Sequence, residues 1–181
     1  MARARLGKVI SGGQTGVDQA ALRAAEVCGL QIGGWCPPGR ESEAGLIPER
    51  FPLHETPVER SPDAPDVPRS LRTEWNVRDS DATLILTADD EARAHRGAAA
   101  DRAVAADRGT AWAVECARRY GKPVLECDPG DPRAVARIVD WLRSEPIATL
   151  SIGGPSEATQ PGIGDAAYAL LVEVFTRAGS S

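Results

Sequence analysis

The apolar residues of this chain follow two alternating spacings, which predict alternating strands and helices. Compact apolar runs predict five strands, at about 8–11, 30–35, 81–87, 122–127 and 147–152. Apolar residues three and four positions apart predict five helices, at about 17–28, 69–78, 110–120, 135–142 and 163–174. Gly29 and Gly121 follow two of these stripes, at positions where glycine commonly ends a helix.

This alternation indicates a doubly wound α/β domain with a mostly parallel sheet of about five or more strands, as in Rossmann-like folds. Right-handed crossovers then place the strand-to-helix loops at one edge of the sheet. We expect the strand order 2-1-3-4-5, which sets the loops after strands one and three side by side. Residues 1–181 are predicted to form a single domain, with a proline-rich loop at about 41–68 across the site and a mobile insert at about 88–108.

Composition narrows the classes of function. The formal net charge of −5 argues against general nucleic-acid binding but allows a local basic pocket. No apolar run approaches ~20 residues, and the N-terminus lacks the apolar stretch of a signal peptide, so we expect a cytoplasmic protein without membrane contact. The four cysteines form no C-x-x-C pair and the two histidines stand apart, which predicts neither a metal centre nor a disulfide framework.

The segment GGQTG at 12–16, between the first predicted strand and helix, is the main candidate for a ligand site. Its glycines allow a tight turn and a close approach of the backbone to a ligand. The helix start that follows supplies free N–H groups and a partial positive charge, which favour an anion such as phosphate. The segment is neither G-x-G-x-x-G nor a P-loop, and a turn that only connects strand and helix is the alternative.

Two further segments place polar residues where they can join this site. Gly109 and Thr110 are expected at the start of the third helix, as a second anion site or as a plain helix cap. Arg72 and Asn76 share one face of the helix at 69–78 with Asp79, which makes that face a second candidate for site chemistry.

Charged residues in turns complete the candidate set. Arg40 follows the turn CPPG at 36–39 and is expected either near an anion or on the surface. Glu157 lies in the glycine-bearing loop before the last helix, where its carboxylate can accept ligand N–H groups. Asp18 stands in the first turn of the first helix, where it supports the helix dipole or orients Thr15 or a ligand hydroxyl.

Three motifs resemble those of the putative molybdenum cofactor carrier family. They read SGGQTGVD at 11–18, GWCPPGR at 34–40 and RTEWNVRDSD at 72–81, and their spacing fits over nearly the whole chain. The resemblance implies a Rossmann-like, lysine-decarboxylase-like fold, a homo-oligomer (dimer or tetramer) and a molybdopterin phosphate held by glycine loops. Proteins of similar fold include phosphoribohydrolases that activate cytokinins.

The leading hypothesis is therefore a carrier or storage protein for molybdenum cofactor (molybdopterin), with molybdoenzymes as possible recipients. It is expected to bind a small phosphorylated ligand and to perform no catalysis, so no catalytic residue is assigned. The predicted ligand-binding residues are Gly12, Gly13, Gln14, Thr15, Gly16, Arg40, Arg72, Asn76, Gly109, Thr110 and Glu157.

Two alternatives stay open at this point. The first is a nucleoside-monophosphate phosphoribohydrolase. The related enzymes carry P-G-G-x-G-T-x-x-E, whose glutamate position corresponds to Ala113 here, while Glu115 follows two residues later and Glu74 is another candidate. The second is a nucleotide-binding sensor domain, which fits the same loops and differs from a carrier only in the identity of its ligand.

Overall fold

The computed structural model describes residues 5–88 and 100–179, with the backbone alone for 100–107. Its strands are β1 (Lys8–Ile10), β2 (Gln31–Gly33), β3 (Trp35–Cys36), β4 (Glu41–Ser42), β5 (Gly45–Leu46), β6 (His54–Glu55), β7 (Ala82–Leu86), β8 (Val124–Cys127) and β9 (Thr149–Gly153). Its α-helices are α1 (Val17–Val27), α2 (Ser70–Arg78), α3 (Ala100–Arg119), α4 (Ala134–Ser144) and α5 (Ile163–Gly179).

The main sheet has five parallel strands in the order β2-β1-β9-β7-β8. The predicted α/β class with a parallel sheet is confirmed. Numbered along the chain, the order is 2-1-5-3-4, so the expected order 2-1-3-4-5 is wrong. Leu150, Ser151 and Ile152 of β9 are all buried, which suits a strand flanked on both sides. Because β9 lies beside β1, the loop after β9 meets the glycine loop.

The two faces of the main sheet are covered differently. On the face that we call the packed face, α1, α4 and α5 bury a large aliphatic cluster against alternate strand residues, which include Leu84, Leu150 and Ile152. On the opposite face, which we call the cavity face, α2 and α3 pack a smaller cluster around Ile85 and Trp112. Alternation along each strand sends successive side chains to opposite faces.

The second predicted strand divides at Gly34. Its first part, β2, joins the main sheet, whereas β3 pairs with β6 in a separate two-stranded sheet. Gly34 has φ +130°, and a Cβ there would lie 2.4 Å from the Ser11 carbonyl oxygen. The backbone of Gly34 therefore passes close to that of Ser11, and the turn at Gly34 redirects the chain away from the main sheet.

Part of the proline-rich loop covers the glycine loop. Residues 41–55, which we call the strap, include the antiparallel hairpin of β4 and β5. Ile47, Phe51 and Leu53 of the strap pack on Leu22 of α1. The strap is thus attached to the domain by an apolar cluster of its own.

The third helix begins earlier than expected. Ala100–Arg119 form one continuous helix, so Arg108-Gly109-Thr110 do not open α3. The sequence ADRAVAA at 100–106 is rich in strong helix formers, and one internal glycine costs only about 1 kcal/mol. Residues 89–99 lie outside the described part of the chain, and the mobility predicted for about 88–108 stays a prediction.

Candidate functional site

The loops after β1 and β9 touch at the carboxyl edge of the sheet. Gly16 has φ +81°, and a Cβ there would lie 2.6 Å from the Pro155 carbonyl oxygen and 2.7 Å from the Glu157 nitrogen. The Thr15 hydroxyl accepts a hydrogen bond from the Glu157 backbone N–H at 3.3 Å. At position 16, only glycine combines the positive φ with the close approach to the loop after β9. Gly16 and Thr15 therefore join the two loops.

A cavity of about 170 Å³ opens beside these loops, between the main sheet and helices α2 and α3. Gly153 and Pro155 of the loop after β9 form part of its wall, and Glu43 of the strap reaches its rim. The predicted residues that line it are Gly12, Gln14, Arg72, Asn76, Gly109 and Thr110. The cavity thus collects about half of the predicted site from three separate segments.

Gln14 lines this cavity and carries an unpaired hydrogen-bond donor. Its side chain is buried, and its Oε1 accepts a hydrogen bond from the Glu43 backbone N–H at 3.0 Å. That bond fixes which end of the amide is the oxygen, because a backbone N–H needs an acceptor. Nε2 is buried and has no partner among the described residues. The amide therefore has a donor available for an acceptor on a ligand.

Arg72 lies across the glycine loop and is held there by Asp18. Its Nη1 donates to Asp18 Oδ2 at 2.9 Å, with the two side chains 18% and 1% exposed. A Cβ on Gly12 would lie 2.0 Å from the same Nη1, so a glycine is needed for the guanidinium to rest on the loop. Arg72 Nε is buried without a partner in the described chain. Arg72 and Gln14 thus line one cavity, and each carries an unpaired buried donor.

Asp18 is the anion that positions this arginine. Its Oδ2 also accepts the Gln14 backbone N–H at 3.2 Å. Burial raises the pKa of Asp18, while the charge of Arg72 and the hydrogen bonds from its neighbours act in the opposite direction. Of the roles predicted for Asp18, the structure supports orientation of the site, with Arg72 rather than Thr15 as its partner.

Asn76 lines the cavity, but its side-chain amide forms hydrogen bonds with the protein backbone. Its Oδ1 accepts the Trp35 backbone N–H at 2.9 Å, and its Nδ2 donates to the Trp35 carbonyl oxygen at 2.9 Å. Asp79, which shares its helix face, accepts from the Trp35 indole and does not line the cavity. Asn76 therefore positions β3 instead of reading a ligand.

Gly109 and Thr110 line the cavity from the interior of α3, so the predicted second anion site at a helix start is wrong. The first-turn N–H groups of α3 lie two to three turns away, at its start near Ala100. A Cβ built on Gly109 meets nothing within 4 Å. Gly109 therefore widens the cavity, and Thr110 adds a hydroxyl to its wall.

The remaining predicted residues lie outside the cavity. Gly13 is beneath the strap, where a Cβ would lie 2.6 Å from Leu53 Cδ1. Arg40 donates to the Leu53, Phe51 and Pro48 carbonyl oxygens at 2.9–3.1 Å and holds the strap together. We therefore remove Arg40 from the ligand site, because it does not line the cavity and backbone carbonyl oxygens bind its Nη1 and Nη2, which leaves only its buried Nε without a partner in the described chain.

Glu157 also binds protein backbone. Its Oε2 accepts the Gly164 N–H at 3.0 Å and its Oε1 accepts the Gly162 N–H, so the carboxylate caps the start of α5. Together with Thr15 and Gly16, it lines a second, open groove of about 540 Å³. Glu43 lines both this groove and the cavity.

Sequence reasoning missed seven polar residues that line the cavity: Glu43, Arg69, Thr73, Thr83, Ser151, Ser156 and Thr159. Glu43 lies in an exposed hairpin with no periodic signal. Thr83 and Ser151 interrupt apolar strands, and this interruption was a readable signal, because a strand buried on both faces is usually apolar throughout.

Comparison with known proteins places this fold in a family. The sequence profile of the circularly permutated YpsA SLOG family matches residues 9–175. The chain belongs to this family. A solved structure described as a putative molybdenum carrier protein from Syntrophus aciditrophicus SB is 34% identical, has a TM-score of 0.75, and is matched over 96% of this chain and 97% of that chain. No curated protein matches.

These matches confirm the predicted family resemblance and its lysine-decarboxylase-like, Rossmann-like fold. Membership of the SLOG family supports a nucleotide-related binding role. Within residues 5–88 and 100–179, no group of three or more histidine, cysteine or acidic residues is arranged to hold a metal ion. The helices in the same part of the chain include none long and apolar enough to cross a membrane.

Proposed function

We propose that this protein is a carrier or storage protein for molybdenum cofactor and holds the phosphate of molybdopterin in the cavity beside Gly12. One observation carries the proposal: the buried donors Gln14 Nε2 and Arg72 Nε, which have no acceptor among the described residues, belong to side chains that line the same cavity. Amide and guanidinium donors suit phosphate oxygens, which only accept hydrogen bonds at neutral pH. The relative described as a molybdenum carrier supports molybdopterin as the phosphorylated ligand.

The carboxylates around the cavity favour binding over hydrolysis. Ala113 lines the cavity at the position where the related phosphoribohydrolases carry glutamate. Glu74 accepts hydrogen bonds from Ser61 and Tyr120 and does not line the cavity. Glu115 is bound to Arg118 and Arg119, whose hydrogen bonds lower its pKa to about 2. None of these three positions therefore supplies a carboxylate to a ligand in the cavity.

Asp18 does not line the cavity, and its Oδ2 is bound by Arg72 and the Gln14 N–H, so we assign it no acid–base role on a ligand. Glu43 is the remaining carboxylate at the rim, and it lies on the strap rather than on a rigid element. We therefore assign no catalytic residue.

The volume of the cavity limits the size of the ligand group that it can hold. Pockets for drug-sized ligands usually measure roughly 300–1,000 Å³, whereas this cavity measures about 170 Å³. It suits a phosphate and a compact adjoining group. The open groove beyond Glu43 is placed to receive ligand parts that extend past the strap.

The test is to isolate the protein from a host that makes molybdenum cofactor, oxidise it with acidic iodine and measure the fluorescent molybdopterin derivative per chain. We expect a signal near one per chain. In Gln14→Glu, which keeps the acceptor for the Glu43 N–H but replaces the donor by an anion, retention should fall roughly 10-fold or more, since hydrogen bonds to charged groups are worth about 1.5–3 kcal/mol.

Gln31→Glu is the matched control. It adds the same charge at an exposed position on β2, and retention should be unchanged. Thermal unfolding of each protein verifies that it is folded. Equal retention in Gln14→Glu and wild type would place the pterin elsewhere. Absence of pterin from folded wild-type protein would overturn the carrier hypothesis, and nucleoside monophosphates would then be tested for binding and for release of ribose 5-phosphate.

A further inference from the structure

Two hydroxyl-bearing residues form the floor of the cavity. Thr83 of β7 and Ser151 of β9 are register partners on adjacent strands, and both are buried, with 1% and 4% of their surfaces exposed. Both line the cavity. Register partners on neighbouring parallel strands point to the same face, and neighbouring strands are about 4.8 Å apart. The two hydroxyl groups therefore form one polar patch, which we call the floor.

The structure around Thr83 gives no reason for a hydroxyl group at this position. Its Oγ1 is buried and has no hydrogen-bond partner in the described chain. A buried hydroxyl without a partner is unfavourable, and valine has the same shape and a high preference for strands. Its strand neighbours Ala82, Leu84, Ile85 and Leu86 are apolar. The single polar side chain of β7 thus lies where the strand meets the cavity.

The floor is separate from the donors proposed to hold phosphate. Ile10 is level with Ser151 in the sheet, and Gly12 lies two residues farther along the chain. At about 3.3 Å per residue, roughly 7 Å separates the two levels along the strands. Gly109 of α3 leaves open space in the same cavity, since a Cβ there meets no atom within 4 Å.

We propose that the floor is a second subsite, in which Thr83 hydrogen-bonds the polar edge of a nitrogen heterocycle whose phosphate is bound at Gln14 and Arg72. A hydroxyl both donates and accepts, so it fits an edge that carries N–H and carbonyl or ring-nitrogen groups. Pterins and purines share this chemistry. The inference rests on the proposed phosphate site but not on the ligand being molybdopterin.

Calorimetric titration of the full chain tests this with paired ligands. GMP, AMP and a phosphorylated 6-hydroxymethylpterin each carry a ring and a phosphate, whereas ribose 5-phosphate carries the phosphate alone. In wild type, at least one ring-bearing ligand should bind more tightly than ribose 5-phosphate. Thr83→Val should weaken that ligand roughly 3- to 10-fold, the range for one neutral hydrogen bond, and leave ribose 5-phosphate unchanged.

Thr83→Ser restores a hydroxyl at the same position and should recover most of the loss. Thr149→Val is the matched control, because Thr149 starts β9 but does not line the cavity. Equal weakening of all ligands in Thr83→Val would indicate a structural role and overturn the inference, as would ring-dependent binding that Thr83→Val does not change. Wild-type protein that gains no affinity from any ring would also overturn it.

These outcomes are distinct from those of the carrier test. Purine-dependent binding that responds to Thr83 supports the floor while contradicting the molybdopterin assignment. Retained pterin that is insensitive to Thr83 supports the carrier and contradicts the floor.

Discussion

The two faces of one sheet differ in what they bury. Along β7, Leu84 enters the aliphatic cluster of the packed face, while its neighbour Thr83 lines the cavity on the other face. Along β9, Leu150 and Ile152 belong to the packed face and Ser151 lies on the cavity floor. One face is filled by side chains and the other is left partly open and polar. The contrast teaches that burial alone does not identify core, because a side chain that lines a cavity is also shielded from bulk solvent.

The largest expected effect distinguishes adjacent residues of β7. Leu84→Ala should lower the free energy of unfolding by about 3 kcal/mol, within the usual 2–5 kcal/mol for a buried leucine, because it leaves a void in the packed face. Thr83→Val should leave it unchanged or slightly raised, since it removes an unpaired buried hydroxyl without changing shape. Urea denaturation of both variants measures the difference. Similar losses in both would show that the two faces are packed alike.

The ion pair on the cavity face should give the next largest effect. Arg72→Met keeps the length of the side chain but leaves the carboxylate of Asp18 buried without its cation. We expect a loss of about 2 kcal/mol, less than the 3–5 kcal/mol of a fully buried pair because Arg72 is partly exposed. Adding Asp18→Asn should restore most of the stability. Additive losses in the double variant, measured by the same denaturation, would contradict direct coupling.

The same carboxylate predicts a pH dependence. Burial raises the pKa of Asp18 in the folded protein, so the unfolded chain gives up this proton at a lower pH than the folded chain. The stability that the protonated group contributes at low pH is therefore lost as the pH rises through the folded pKa.

Asp18→Asn cannot ionise at this position. We therefore expect its stability to rise relative to wild type as the pH increases from the ordinary pKa of aspartate through the raised pKa of Asp18. Denaturation at steps between roughly pH 4 and 8 measures the difference between the two proteins, starting near the ordinary pKa of aspartate. Parallel curves would mean that Asp18 titrates alike in the folded and unfolded states.

The smallest effect concerns the open space at Gly109. Gly109→Ala should raise the free energy of unfolding by about 0.5–1 kcal/mol, because alanine favours a helix interior and its Cβ meets no neighbour. The same Cβ should reduce pterin retention by narrowing the cavity. Thermal unfolding and the iodine-oxidation assay give the two values. A variant that is more stable and retains pterin fully would show that a ligand does not use this space.

The sequence by itself determined the alternation of strands and helices, the α/β class and the family. Each depends on local spacing or on contiguous motifs, such as SGGQTGVD at 11–18. It also identified Gly12, Gln14 and Arg72, which the structure brings to one cavity. Glycines indicate a tight turn of the backbone, and Arg72 lies in one contiguous motif with Asn76. Both signals can therefore be read from neighbouring residues alone.

Tertiary structure alone decided which residues share a site. The place of β9 beside β1 depends on packing between elements over 130 residues apart, which no local pattern encodes. Arg40 and Glu157 have the chemistry of ligand-binding residues. In the folded protein, however, the Arg40 guanidinium and the Glu157 carboxylate form hydrogen bonds with backbone groups of nearby loops. The sequence shows Thr83 only as one polar residue in an apolar strand, and the structure shows that it lies on the cavity face of the sheet. Hydrogen-bond partners are chosen by three-dimensional neighbours, and those neighbours exist only once the chain has folded.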